Sequence, residues 1–109
     1  MTTSGGKRVL VTGMGSQLGS LVASELENES WVSEIAGFDI DPPRRRLNRS
    51  QFHMSHPTDV VGRSVIVKEF NPHVIVHLGV WEPDARANPE QAELLTQQSA
   101  ETLFVAAKR

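Results

Sequence analysis

The fold turns on Lys7–Leu26, KRVLVTGMGSQLGSLVASEL. Val9-Leu10-Val11 is a short apolar run behind a basic dipeptide, the pattern of a strand buried on both faces. Leu18, Leu21, Val22 and Leu26 then repeat at helical spacing, with Glu25, Glu27 and Glu29 on the expected wet side. Between strand and helix stand Gly13, Gly15 and Gly19, which is not the G-x-G-x-x-G spacing. The turn nevertheless makes the same physical demands. Gly13 directly follows the strand, where backbone must come close to a pyrophosphate, and Gly19 lets the helix pack tightly on the strand. The helix N-terminus offers N–H groups and partial positive charge to phosphates, and Ser16 and Gln17 add side-chain donors. The candidate phosphate-binding element is therefore Gly13, Gly15, Ser16, Gln17, Leu18 and Gly19.

Outward from this stretch, Asn28-Glu29-Ser30 breaks the helix and a second strand is expected over Ile35 to Ile40. Pro42 and Pro43 stop it, because proline cannot donate to a ladder. Residues 44–50 read as a loop or short helix, and QFHM (51–54) as a brief third strand. A helix with loose apolar spacing is expected from Thr58, as N-cap before Asp59, to Phe70, with Asn71-Pro72 ending it. HVIVHLG (73–79) is a strongly apolar fourth strand. Pro89 suits the first turn of a last helix whose inner stripe would be Leu95, Ser99, Thr102 and Ala106.

Strands alternating with helices imply a parallel sheet. The expected fold is an α/β, Rossmann-type doubly wound sheet, incomplete at four strands in the order 3-2-1-4, with helices on both faces. Residues 1–6 are expected to be a disordered lead-in to one domain over 7–109.

Composition narrows the function. The apolar (39%) and charged (22%) fractions are those of an ordinary globular protein, and a formal charge of −2 argues against general nucleic-acid binding. No apolar run is long enough to span a bilayer and no signal peptide is apparent, so a cytoplasmic protein without membrane partners is expected. There is no cysteine, hence no disulfide or thiolate metal site. There is also no tyrosine. The pairs His53/His56 and His73/His77 carry no accompanying metal motif; the latter two are expected at the rim of the fourth strand, hydrogen-bonded.

Twenty residues beyond Gly19, at the end of the second strand, lies Asp39. An acid there accepts hydrogen bonds from both ribose hydroxyls and repels a 2′-phosphate, which favours NAD over NADP. Arg44-Arg45-Arg46 offers the opposing possibility of a 2′-phosphate grip, against a solvated loop covering the adenine.

Together VLVTGMGSQLG, GFDIDPP and HVIVHLGV resemble the N-terminal part of an extended short-chain dehydrogenase/reductase, the NAD-dependent epimerase/dehydratase family. On that family's T-G-x-x-G-x-x-G loop, Thr12, Gly13 and Gly19 match and Ser16 replaces the middle glycine. A side chain there narrows the approach to the pyrophosphate, so a glycine at 16 is expected to tighten binding. The resemblance implies that Asp39 binds ribose, that Ile40 lies beside adenine, and that Leu78, Gly79 and Val80 line the cofactor as the family's H-L-A-A segment does. His56 stands where the family commonly has an adenine-contacting aspartate, and Gln98/Thr102 where it has asparagine four residues before threonine. Trp81 and Glu82 follow, near the expected cofactor channel.

The resemblance also implies what is missing. The family moves its proton with a Tyr-x-x-x-Lys pair beyond the fourth strand, and this chain has no such region. The expectation is a truncated product: the NAD-binding portion of an epimerase, dehydratase or reductase acting on a nucleotide sugar or similar carbonyl/hydroxyl substrate, not catalytic alone, with a homodimer at full length. The alternative is a non-catalytic dinucleotide-binding module or relic. An unpaired fourth-strand edge would leave the isolated piece marginally stable.

Overall fold

The computed structural model describes residues 6–79 and, beyond them, 88–91, 93, 94, 97 and 100. The elements are β1 (Lys7–Thr12), α1 (Gln17–Leu26), β2 (Val32–Asp39), β3 (Ser50–Met54), α2 (Val60–Phe70) and β4 (Val74–His77). All three strand pairs are parallel, in the order β3-β2-β1-β4. This is the Rossmann-type arrangement the sequence implied.

Two-residue periodicity sorts the core into two layers. Val9 and Val11 join Ile35 and Val76 on the face that α1 covers with Ala23 and Leu26. Leu10 joins Ala36, Phe38 and Ile75 on the opposite face, under Ile66, Val67 and Phe70 of α2. Helices therefore lie on both faces. Val9, Leu10 and Val11 are fully buried, and each aliphatic side chain so placed contributes roughly 1.5–3 kcal/mol. Among the described residues β4 pairs only with β1; its other edge is open and Val74 is 38% exposed.

Several local expectations needed correction. β2 begins at Val32, where Val32 is buried and pairs with Lys7, and it ends at Asp39, which leaves Ile40 outside the strand. The N-cap of α2 is Asp59, whose Oδ1 accepts from the Gly62 N–H at 3.0 Å. Thr58 is otherwise engaged, its hydroxyl 2.7 Å from His56 Nδ1. Helix α1 buries Gly19, Ser20 and Ala23 while Leu18 and Leu21 face solvent, because small side chains let the helix settle on the sheet. Asn71 ends α2 in the left-handed conformation, φ 50°, as asparagine can.

No helix forms between β2 and β3; residues 40–49 cross as irregular chain held against α1. The Glu27 carboxylate accepts from the N–H groups of Asn48 and Arg49 and from the Ser50 hydroxyl. The Arg49 guanidinium donates to the carbonyls of Leu26 and Glu27 at the end of α1 and of Val32 and Ser33 in β2. Burial alone would raise the Glu27 pKa, but these hydrogen bonds outweigh it and hold the carboxyl below its ordinary value.

The last helix begins as expected. Asn88 and Gln91 exchange side-chain-to-N–H bonds of 2.9 and 3.0 Å, a capping box around Pro89. The stripe Leu95, Ser99, Thr102 and Ala106, and the pair Gln98/Thr102, lie outside the described residues.

Candidate cofactor site

The C-terminal ends of β1, β2 and β4 converge on the turn that leads into α1. Gly13 makes that turn with φ +69°, and its N–H donates to the Phe38 carbonyl at 3.1 Å. A Cβ on it would stand 2.5 Å from the Leu78 carbonyl oxygen and 3.0 Å from the Gly79 nitrogen. The glycine loop is thus seated on the end of β4, and only glycine can sit there.

Gly15 is bound instead to the end of β2. Its N–H donates to Asp39 Oδ2 at 3.0 Å, while the Ile40 N–H donates to Asp39 Oδ1 at 2.7 Å. A Cβ on Gly15 would collide with the Asp41 carbonyl and lie 3.0 Å from Asp39 Oδ2. The Asp39 carboxylate therefore pins loop to strand and retains further lone pairs for a ligand. Burial raises its pKa, and the N–H groups of Ile40 and Gly15 and the Arg63 cation offset that rise only in part.

Ser16 is the N-cap of α1. Its Oγ donates to the Gly13 carbonyl at 2.7 Å and accepts from the Gly19 N–H at 2.9 Å. The hydroxyl is committed to the turn and is not the ligand donor that its position suggests in the sequence. Among the described residues the backbone N–H groups of Gln17 and Leu18 meet no protein acceptor, and both residues are exposed. These two are the orphan donors that a helix start offers to an anion.

Two side chains at this end have roles that the sequence reading did not assign. Thr12 Oγ1 accepts from the N–H groups of Leu78 and Gly79 and lies 2.6 Å from His77 Nδ1. Arg63 of α2 is 5% exposed, with its guanidinium 4.5 Å from the Phe38 ring centroid and hydrogen bonds to Ser55 Oγ and the Ser55 carbonyl. The Ser55 N–H donates in turn to the Asp39 carbonyl at 2.8 Å, so Arg63 braces the end of β3 beneath Asp39. It sits on the helix whose apolar spacing was loosest, where periodicity gives no inner face.

The histidines are placed as hydrogen-bonding groups. His73 Nδ1 accepts from the Arg8 N–H at 2.9 Å at the start of β4, and His77 stands at its end. Among the described residues, no group of three or more His, Cys, Asp or Glu could hold a metal ion. Exposed Arg44–Arg46 follow the Asp39 turn, and the Arg44 N–H donates to Ser20 Oγ on α1 at 2.8 Å. Among the described residues no helix is long and apolar enough to cross a membrane.

One end of the sheet thus gathers Gly13, Gly15, Ser16, Gln17, Leu18, Gly19, Asp39, Ile40, Leu78 and Gly79; Val80, Trp81 and Glu82 lie outside the described residues. In fold the chain is similar to about a third of several enzymes of known structure, NAD-bound enzymes and dehydrogenases among them. The Bordetella bronchiseptica enzyme WbmH, solved in complex with NAD+, superposes with a TM-score of 0.77 at 23% identity, covering 94% of this chain and 36% of WbmH. WbmG from the same organism, solved with NAD and UDP, gives a TM-score of 0.77 at 20% identity, over 94% of this chain and 34% of that one. In sequence, the chain is 31% identical over 100 residues to methionine adenosyltransferase 2 subunit beta of Xenopus tropicalis, which takes in 90% of this chain and 28% of the relative. The chain thus spans under a third of the length of that curated relative. No family model matches the sequence.

Proposed function

We propose that this chain is the NAD-binding portion of an NAD-dependent epimerase/dehydratase-like oxidoreductase. The observation that supports the reading is the Gly15–Asp39 hydrogen bond, which holds an acidic strand end beside a glycine turn at a helix start. The residues present suit the group. Gln17 and Leu18 would donate N–H bonds to the pyrophosphate, and Gly13 and Gly15 let the turn beneath it seat on the ends of β4 and β2. Asp39 would accept the ribose hydroxyls, and Ile40, Leu78 and Gly79 would border the adenosine. NAD, when bound, supplies the hydride acceptor. The chain's own residues hold and orient it, and its acidic strand end supports NAD over NADP. The substrate in the longer protein would be a nucleotide sugar or a similar carbonyl/hydroxyl compound, reached through residues beyond this portion.

The alternative is a dinucleotide-binding module without catalysis. It is favoured by the name of the curated relatives, which denotes a subunit of an adenosyltransferase. Calorimetry with NAD, NADP and ADP-ribose tests the shared core of both readings. Binding of NAD and ADP-ribose, with NADP weaker, is expected. Absence of binding by any of the three would remove both readings. Hydride transfer by the longer protein would then separate enzyme from module.

A further inference from the structure

The Thr12 hydroxyl has two acceptor lone pairs and one proton. The backbone N–H groups of Leu78 and Gly79 fill the acceptor places at 3.0 and 3.2 Å, the Leu78 N–H being shared with the Thr12 carbonyl at 3.3 Å. The proton must therefore go to His77 Nδ1, 2.6 Å away. That bond fixes the histidine tautomer: Nδ1 accepts, and the ring is neutral with its proton on Nε2. The backbone so held is the same wall against which Gly13 is seated.

We propose that neutral His77 is a positioning residue for the dinucleotide site: through the Thr12 hydroxyl it fixes the Leu78–Gly79 backbone against Gly13, and its protonation releases that wall. The inference rests on the dinucleotide reading above. A protonated imidazole carries N–H on both nitrogens. Its Nδ1–H would confront a hydroxyl whose lone pairs are already taken, so Thr12 must give up Gly79 or leave Leu78 to its longer bond with the Thr12 carbonyl. The surroundings favour the neutral ring. Although His77 is exposed at the end of β4, partial desolvation and then the Arg63 guanidinium of α2 push its pKa below the usual 6.5. From β1 the ring meets the uncharged Thr12 hydroxyl, while the Asp39 carboxylate at the end of β2 is turned to the Gly15 and Ile40 N–H groups.

The experiment has a ligand-free and a ligand-bound arm. In the first, 15N NMR reads the His77 tautomer and follows the Leu78 and Gly79 amides as pH falls. An Nε2–H ring is expected, with both amides shifting in step with the His77 titration. In the second, NAD affinity is measured between about pH 8 and pH 5 for wild type, His77→Asn and Thr12→Val. Asparagine keeps an acceptor near the Nδ1 position but cannot titrate. Wild-type affinity should fall roughly two- to tenfold with the His77 titration, the worth of one hydrogen bond. His77→Asn should lose that fall, whatever its affinity at high pH, while Thr12→Val should bind weakly throughout. Titration of Asp39 persists in His77→Asn, so the difference between the two profiles isolates His77.

A ring protonated on Nδ1 at neutral pH overturns the proposal, as does a His77→Asn profile parallel to wild type. If wild type binds no NAD, the dinucleotide reading fails and the affinity claim goes with it. The ligand-free arm still decides the lock, and amides that ignore the His77 titration would overturn it. Should His77→Asn fail to fold, the wild-type tautomer and amide titration decide.

Discussion

Replacing Gly15 by alanine is expected to damage this protein more than any change at Ser16, the position where the family motif has its glycine. A methyl group at residue 15 would lie 2.8 Å from the Asp41 carbonyl carbon and 3.0 Å from Asp39 Oδ2, inside ordinary contact distance. The neighbour is backbone, so the loop must move. Overpacking of this kind costs about 1–3 kcal/mol. The movement also lengthens the Gly15–Asp39 bond, a hydrogen bond to a charged group worth about 1.5–3 kcal/mol. The combined loss is roughly 2.5–6 kcal/mol, a drop of about 10 °C or more in Tm for a domain of this size. Ser16→Gly removes one N-cap and should cost only about a few tenths of a kcal/mol. Urea denaturation of both variants, with m compared to wild type, checks the contrast. A Gly15→Ala protein within about 0.5 kcal/mol of wild type, or a Ser16→Gly protein that loses more, would refute the packing argument.

Other expectations follow from the same contacts. Leu10→Ala removes a fully buried side chain between β1 and α2 and should cost about 2–5 kcal/mol, read as a lower urea midpoint at constant m. Glu27 has a lowered folded pKa, so its stabilisation is present above the unfolded value near 4.5 and disappears as pH falls through the folded one. Glu27→Gln should therefore be less stable than wild type at neutral pH and lose less stability on acidification. Asp39 has the opposite sign: its folded pKa is raised from 3.8, so ionisation costs stability as pH rises through that value. A ribose needs the ionised acceptor, and NAD affinity should therefore weaken on acidification from a higher pH than an ordinary aspartate would set. Asp39→Asn should bind NAD roughly tenfold or more weakly and narrow the gap to NADP; a preserved preference would show that the carboxylate does not select.

The fold was legible because its signals are local and redundant. Alternating apolar strands, a glycine turn and Asn71-Pro72 each mark an element without help from the rest. Asp39 and the glycine loop were legible for the same reason, through a spacing that one βαβ unit dictates. What escaped were interactions spanning long separations in polar residues. Arg49 reaches back to the carbonyls of Leu26 and Val32, and Thr12 to the N–H groups of Leu78 and Gly79, across pairings that no periodicity announces. Ser16 misled because a serine before a helix can equally face a ligand or cap its own turn, and only the Gly19 N–H distance separates the two. Leu18 and Leu21 misled because the sheet accepts the small face of α1, so the larger aliphatics are turned outward.

The crossing from β2 to β3 has a consequence for how this chain can vary. It is moored twice to one helix, at Ser20 through Arg44 and at Glu27 through Asn48 and Arg49, with exposed Arg45 and Arg46 slung between. A span tethered at both ends can lengthen or shorten in the middle while its moorings stay put, since the entropy of a longer loop rises only slowly with length. Residues 45–46 are therefore where an insertion would cost least, and where a lineage or an engineer could refit this loop without disturbing the sheet beneath it.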